Sequence, residues 1–185
     1  MNFEKETEKL LHFIDESPTA FQAVKNLGDM AEKAGFAELK ETEEWSLELG
    51  KSYYVKRNDS SIAAFSIPDR EPEKIKGFHM VAAHSDSPSF KVKEKAEMTA
   101  ENLYVRLNVE KYGGMILSTW LDRPLSVAGR VSVEKDGEVI TKLVNVDRDL
   151  LVIPNVAIHM NRDMNKGVEY NPQIDMLPLY GEKEN

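Results

Sequence analysis

The chain has 185 residues, 41% hydrophobic and 30% charged, with no cysteine. It has material for one sizeable core and excludes a disulfide scaffold, a thiolate zinc finger and a cysteine nucleophile. A formal charge of −8, from 24 basic and 32 acidic residues, repels phosphate backbones and sets nucleic-acid binding aside. No apolar run is long enough to span a bilayer. The start, Met1-Asn2-Phe3-Glu4-Lys5-Glu6, has neither a basic nor an apolar stretch, so no secretory signal and a cytoplasmic address are expected.

In chain order, Phe3, Leu10, Leu11 and Ile14 recur at helical spacing. Ser17-Pro18 predicts a second helix capped by Ser17, with Phe21, Val24, Leu27 and Ala31 on one face and Gly35 just past its end. After Gly50 the pattern turns to strands, and 52–57 and 61–67 flank Asn58-Asp59-Ser60 as a hairpin. The apolar run Phe78 to His84 predicts a strand buried on both faces of an α/β sheet. From about Phe90 the chain is mostly strand and turn. Val131–Glu134 and Glu138–Thr141 flank Lys135-Asp136-Gly137 as a second hairpin. A further strand, broken at Pro154, is expected over Leu151–Met160. The fold expected is α/β over residues 1–90, followed by a β-rich unit over 91–185.

Three segments carry candidate chemistry. Val81-Ala82-Ala83-His84-Ser85-Asp86-Ser87-Pro88 delivers a histidine at the end of the expected strand, where open α/β sheets bind ligands. Asp86, two residues on, lies on the same side of an extended chain, as a group that orients a metal-bound imidazole must. His-x-Asp by itself is a weak motif, and on spacing alone a plain strand-end histidine followed by an Asp-Ser-Pro turn is the better reading. His79 lies five residues before His84, on the opposite face of a regular strand, and reads as a satisfied core histidine; His12 reads as surface. Tyr112 to Leu125 joins Gly113-Gly114 to Trp120-Leu121-Asp122-Arg123, whose plain reading is a turn with a surface ion pair. Ile153-Pro154-Asn155-Val156-Ala157-Ile158-His159 delivers another histidine, by itself an edge-strand residue.

Taken in order, Ala83 to Pro88, then Gly113-Gly114 with Ser118 to Arg123, then Ile153-Pro154 with Ala157-Ile158-His159, resemble the aspartyl aminopeptidase family, dinuclear zinc exopeptidases that include the vacuolar aminopeptidases. The similarity includes Ser17-Pro18-Thr19 with Phe21 and Ala23-Val24, and runs almost the length of the chain. The resemblance implies that His84 is a metal ligand, that Asp86 is the catalytic aspartate supporting it, and that His159 reaches the active site of a neighbouring subunit to contact substrate. It further implies two zinc ions in the complete enzyme, with other divalent metals as alternatives. The implied substrate is a peptide starting with Asp or Glu. The β-rich unit is implied to be an inserted dimerisation domain, in an enzyme that forms a dimer and a dodecamer. The family's bridging aspartate, its glutamate pair, a further acidic ligand and its last histidine have no counterpart here, and Glu43-Glu44 precedes the first ligand. One histidine and one aspartate do not hold two zinc ions. The chain is therefore expected to be the N-terminal part of such an enzyme, inactive alone. The alternative is a non-catalytic interaction module without a metal centre. A serine hydrolase built on His84 and Asp86 lacks a nucleophile elbow.

Overall fold

Asn2 opens the first helix by accepting, on its side-chain oxygen, the backbone N–H groups of Glu4 and Lys5 at 3.2 and 3.5 Å. This helix, α1 (Phe3–Asp15), belongs to a computed structural model that describes residues 2–183. Its periodic apolar residues Phe3, Leu10, Leu11 and Ile14 remain exposed. The second helix, α2 (Ala20–Lys33), is capped by Thr19, whose hydroxyl accepts from the N–H of Phe21. The expected cap was Ser17, but its hydroxyl is taken by the side-chain amide of Asn26 at 3.0 Å. Gly35, with φ of +86°, ends the turn after α2 as expected.

The structure divides into two compact units, one of residues 1–87 with 128–145, the other of 88–127 with 146–185. The expected break near residue 90 lies close to the first crossing. The hairpin at 128–145, expected within 91–185, instead clusters with the first unit.

In the first unit, β1 (Ala37–Leu39) pairs parallel with β2 (Ser52–Arg57), and β2 pairs antiparallel with β3 (Ser61–Ser66). Asn58 and Asp59 turn this hairpin with φ of +52°, a left-handed conformation that short polar side chains tolerate. Tyr53 and Tyr54 are buried with Ala23 and Val24. The Tyr54 ring packs beside Gly28, where an added Cβ would stand 3.5 Å from the ring edge. Strands β6 (Ala128–Lys135) and β7 (Glu138–Asn145) form the Asp-Gly hairpin read from the sequence, with Asp136 and Gly137 at φ of +55° and +79°. The hairpin is fastened to α2 by Gln22, whose amide donates to the carbonyls of Val144 (3.0 Å) and Gly129 (3.4 Å) while its oxygen accepts from the Thr19 hydroxyl. The Arg130 guanidinium stacks over Phe21 at 4.3 Å and donates to the carbonyl and side-chain oxygens of Asn58.

The expected buried strand over Phe78–His84 does not form. Residues 77–84 have no regular structure, and Phe78, Met80 and Val81 are 86, 89 and 100% exposed. A strand of this composition is stable only with pairing partners at both edges and layers on both faces. No described strand pairs with this one.

In the second unit, β4 (Ser89–Ala100) and β5 (Tyr104–Tyr112) form a long antiparallel pair turned by Glu101 and Asn102, both left-handed, and β8 (Leu179–Glu182) pairs with β5. Val109, Leu151, Ile153, Met176 and Leu177 are buried here. The strand expected over Leu151–Met160 is reduced to isolated bridges at Leu151, Val152 and Ile153, followed by a turn at 158–160. Pro154 ends the pairing because it has no N–H to continue it. Among the described residues no helix is long and apolar enough to cross a membrane.

Candidate functional site

Ser85 fixes the irregular segment after Phe78 by donating its hydroxyl to the carbonyl of Ser60, beside the β2–β3 turn, at 2.9 Å. On either side of this anchor, His84 Nδ1 and Asp86 Oδ1 stand 3.2 Å apart. In the tautomer protonated on Nδ1, His84 donates to Asp86 and leaves the Nε2 lone pair for a metal, the pairing that fixes a ligand's orientation. The ring is 93% exposed. The histidine therefore stands in a loop rather than at a strand end, yet the expected carboxylate partner is in place. His79 is exposed, not the core histidine expected, because the strand that would have buried it is absent. His12 is exposed, as expected.

The fit to zinc is partial. His84 oriented by Asp86 matches one ligand with its supporting group. No group of three His, Asp or Glu side chains able to hold a metal exists among the described residues, and a zinc site takes about three protein ligands.

In the second unit His159 is exposed within the turn at 158–160, closed by Met160 N–H to the Ala157 carbonyl at 2.8 Å and Asn161 N–H to the Ile158 carbonyl at 3.2 Å. Ile158 and Met160 of the same turn, and Val156 just before it, are exposed as well. Asp122, expected in a surface ion pair with Arg123, instead joins two of the recognised segments. Its N–H donates to the Ile153 carbonyl and its Oδ1 accepts from Asn155 N–H, both at 2.9 Å. Trp120 packs edge-on against Phe90, ring centres 5.2 Å apart. Gly113 is left-handed and lies against Pro88. These residues shape the unit.

Sequence reasoning passed over Arg106, on β5, whose Nε is buried without a hydrogen-bond partner. By alternation Arg106 falls on the polar face of β5 with Asn108 and Glu110, so nothing in the sequence singled it out.

Residues 13–185 match the family described as Aminopeptidase I zinc metalloprotease (M18). A probable M18 family aminopeptidase 2 of Clostridium novyi is 50% identical over 179 residues, 96% of this chain and 41% of that protein. Among solved structures, a chain of the Ape4–Nbr1 complex superposes with a TM-score of 0.88 at 44% identity, over 94% of this chain and 33% of that one. Chaetomium thermophilum mApe1 gives 0.88 at 34% identity, over 97% and 40%. The chain spans about two fifths of the curated relatives' length. With its ordered motifs and matching fold, the chain belongs to the aminopeptidase I zinc metalloprotease (M18) family.

Proposed function

We propose that this chain supplies one zinc ligand and its supporting carboxylate to an enzyme that removes the N-terminal residue of peptides beginning with Asp or Glu. The observation that carries this reading is the 3.2 Å contact between His84 Nδ1 and Asp86 Oδ1, inside a chain of an aminopeptidase family. Zinc, two ions by this reading, supplies Lewis acidity and a water of lowered pKa. Asp86 holds the His84 ring and sets its tautomer, so that Nε2 faces outward. The remaining ligands and the general base come from outside the described residues. His159, on its exposed turn, donates to the substrate carbonyl in a neighbouring subunit, and the unit of 88–127 and 146–185 mediates the association into a dimer or larger homo-oligomer.

Zinc analysis of an enzyme of the relatives' length, with and without His84→Ala, tests the assignment. Loss of bound zinc and of aspartyl-peptide hydrolysis is the expected outcome, and unchanged zinc overturns it. A second reading is an interaction module without a metal centre, which predicts unchanged zinc content in that variant.

A further inference from the structure

Arg106 and Asp175 line one cavity of about 400 Å³ in the second unit, a volume within the roughly 300–1,000 Å³ typical of small-molecule sites. Arg106 Nε is buried without a partner, alone in this among the buried side-chain polar atoms of the described residues. A buried donor without an acceptor is costly, and a native one calls for a partner. Nε and one Nη of a guanidinium form a side-on fork that matches the two oxygens of a carboxylate. The described ion pairs do not include one between Arg106 and Asp175. Asp175 is held in place because its Oδ2 accepts the N–H of Asn171 at 2.7 Å, leaving Oδ1 to take a further donor. Val156, Ile174 and Leu179 supply apolar wall.

We propose that this cavity binds a free α-amino acid with an apolar side chain. Its carboxylate sits on the Arg106 fork, its ammonium on Asp175, and its side chain against Val156, Ile174 and Leu179. Two opposite charges facing one cavity without pairing are what a zwitterion satisfies together, whereas a simple anion would meet the repulsion of Asp175. Val156 and Asn161, which flank the turn carrying His159, also line the cavity, so an occupant rests against both ends of that turn.

The test is titration of the 185-residue chain with L-leucine, followed by amide NMR shifts at Tyr104, Val156 and Ile174. Leucinamide, which lacks the carboxylate, and 4-methylpentanoate, which lacks the ammonium, are run in parallel. Saturable binding of leucine at millimolar concentration is expected. Loss of either charged partner should weaken it by roughly 10-fold or more, the usual worth of a charge-assisted hydrogen bond. Arg106→Lys, which keeps the charge but removes the fork, and Asp175→Asn should weaken leucine similarly. Absence of leucine binding overturns the proposal, as does equal binding of 4-methylpentanoate or an unchanged affinity in Arg106→Lys. Should a variant fail to fold by circular dichroism, the three ligands on the unmodified chain decide the matter. The outcome is separable from the peptidase reading, which is judged by zinc and His84.

Discussion

The Tyr54 hydroxyl, at a fully buried position of β2, donates to Oε1 of Glu32 in the last turn of α2 at 2.8 Å. This bond joins helix to sheet beneath Lys56, which is itself paired with Glu38 at 2.8 Å. Burial, then the bond to Glu32, pushes the Tyr54 phenol well above its ordinary 10.0. The unfolded chain therefore ionises this tyrosine first. Its contribution to stability is complete below the ordinary tyrosine pKa and declines as pH rises beyond it. Tyr54→Phe should cost about 1–2 kcal/mol at neutral pH, and its urea midpoint should fall less than that of the native chain when the pH is raised past the tyrosine range.

Gln22→Leu should free the hairpin from α2. Both carbonyls that Gln22 serves lose that donor, at a cost of about 1–3 kcal/mol. Hydrogen exchange separates this from general destabilisation, because amides of 128–145 should gain exchange before those of β2. Uniform acceleration across the first unit would count against a local latch.

Gly113 and Gly137 share a φ of +79°, but an added Cβ at Gly113 meets Pro88 at 3.4 Å while at Gly137 it meets open space. Because 3.4 Å is an ordinary van der Waals separation, alanine at either position should cost the left-handed strain alone, about 1–2 kcal/mol. A clearly lower melting temperature for the Gly113 variant would show that the Pro88 contact cannot take a methyl group.

What the sequence disclosed depended on how local the cause was. The Asp136-Gly137 hairpin was legible because two residues determine its turn, and the 52–66 hairpin because alternation and Asn58-Asp59 agree. The Thr19 cap was missed because Ser17 also looks like a cap, and only the fold shows Asn26 occupying its hydroxyl. The run from Phe78 to Val81 misled for a larger reason. Apolar composition expresses a demand for burial, and the demand is met only where other strands and helices supply the layers. At the site, the His84–Asp86 contact was readable because two residues of extended chain bring the groups together. The Arg106–Asp175 cavity was not, since 69 residues separate its charges and only tertiary structure closes it.

On the proposed aminopeptidase reading, the 185-residue chain alone should show no turnover of aspartyl or glutamyl peptides and bind less than stoichiometric zinc. In an enzyme of the relatives' length, Asp86→Asn should retain much of the zinc yet lose activity, because the His84 ring is no longer held in one tautomer. Zinc-dependent turnover by the short chain, abolished by His84→Ala, would show that it carries a complete site.

His159→Ala in the same enzyme should lower kcat by about 100-fold, the scale of one donor lost to a developing oxyanion, with zinc content unchanged. Because Ile158 and Met160 of the turn and Val156 before it are also exposed, the chain should associate at micromolar concentration. Light scattering that returns only a 21.0 kDa particle would remove the in-trans role.

The polypeptide passes between its two units after residues 87, 127 and 145. No single cut therefore separates them, and a gene fragment ending near residue 90 would encode α2 without the hairpin that Gln22 and Arg130 hold. During translation the surface of Thr19, Phe21 and Gln22 must wait until Asn145 has left the ribosome before it can be covered. The N-terminal helices are thus made early but completed late, an order of long-range closure that slows folding. It also makes the nascent chain, rather than the finished protein, the state in which that surface is open to chaperones.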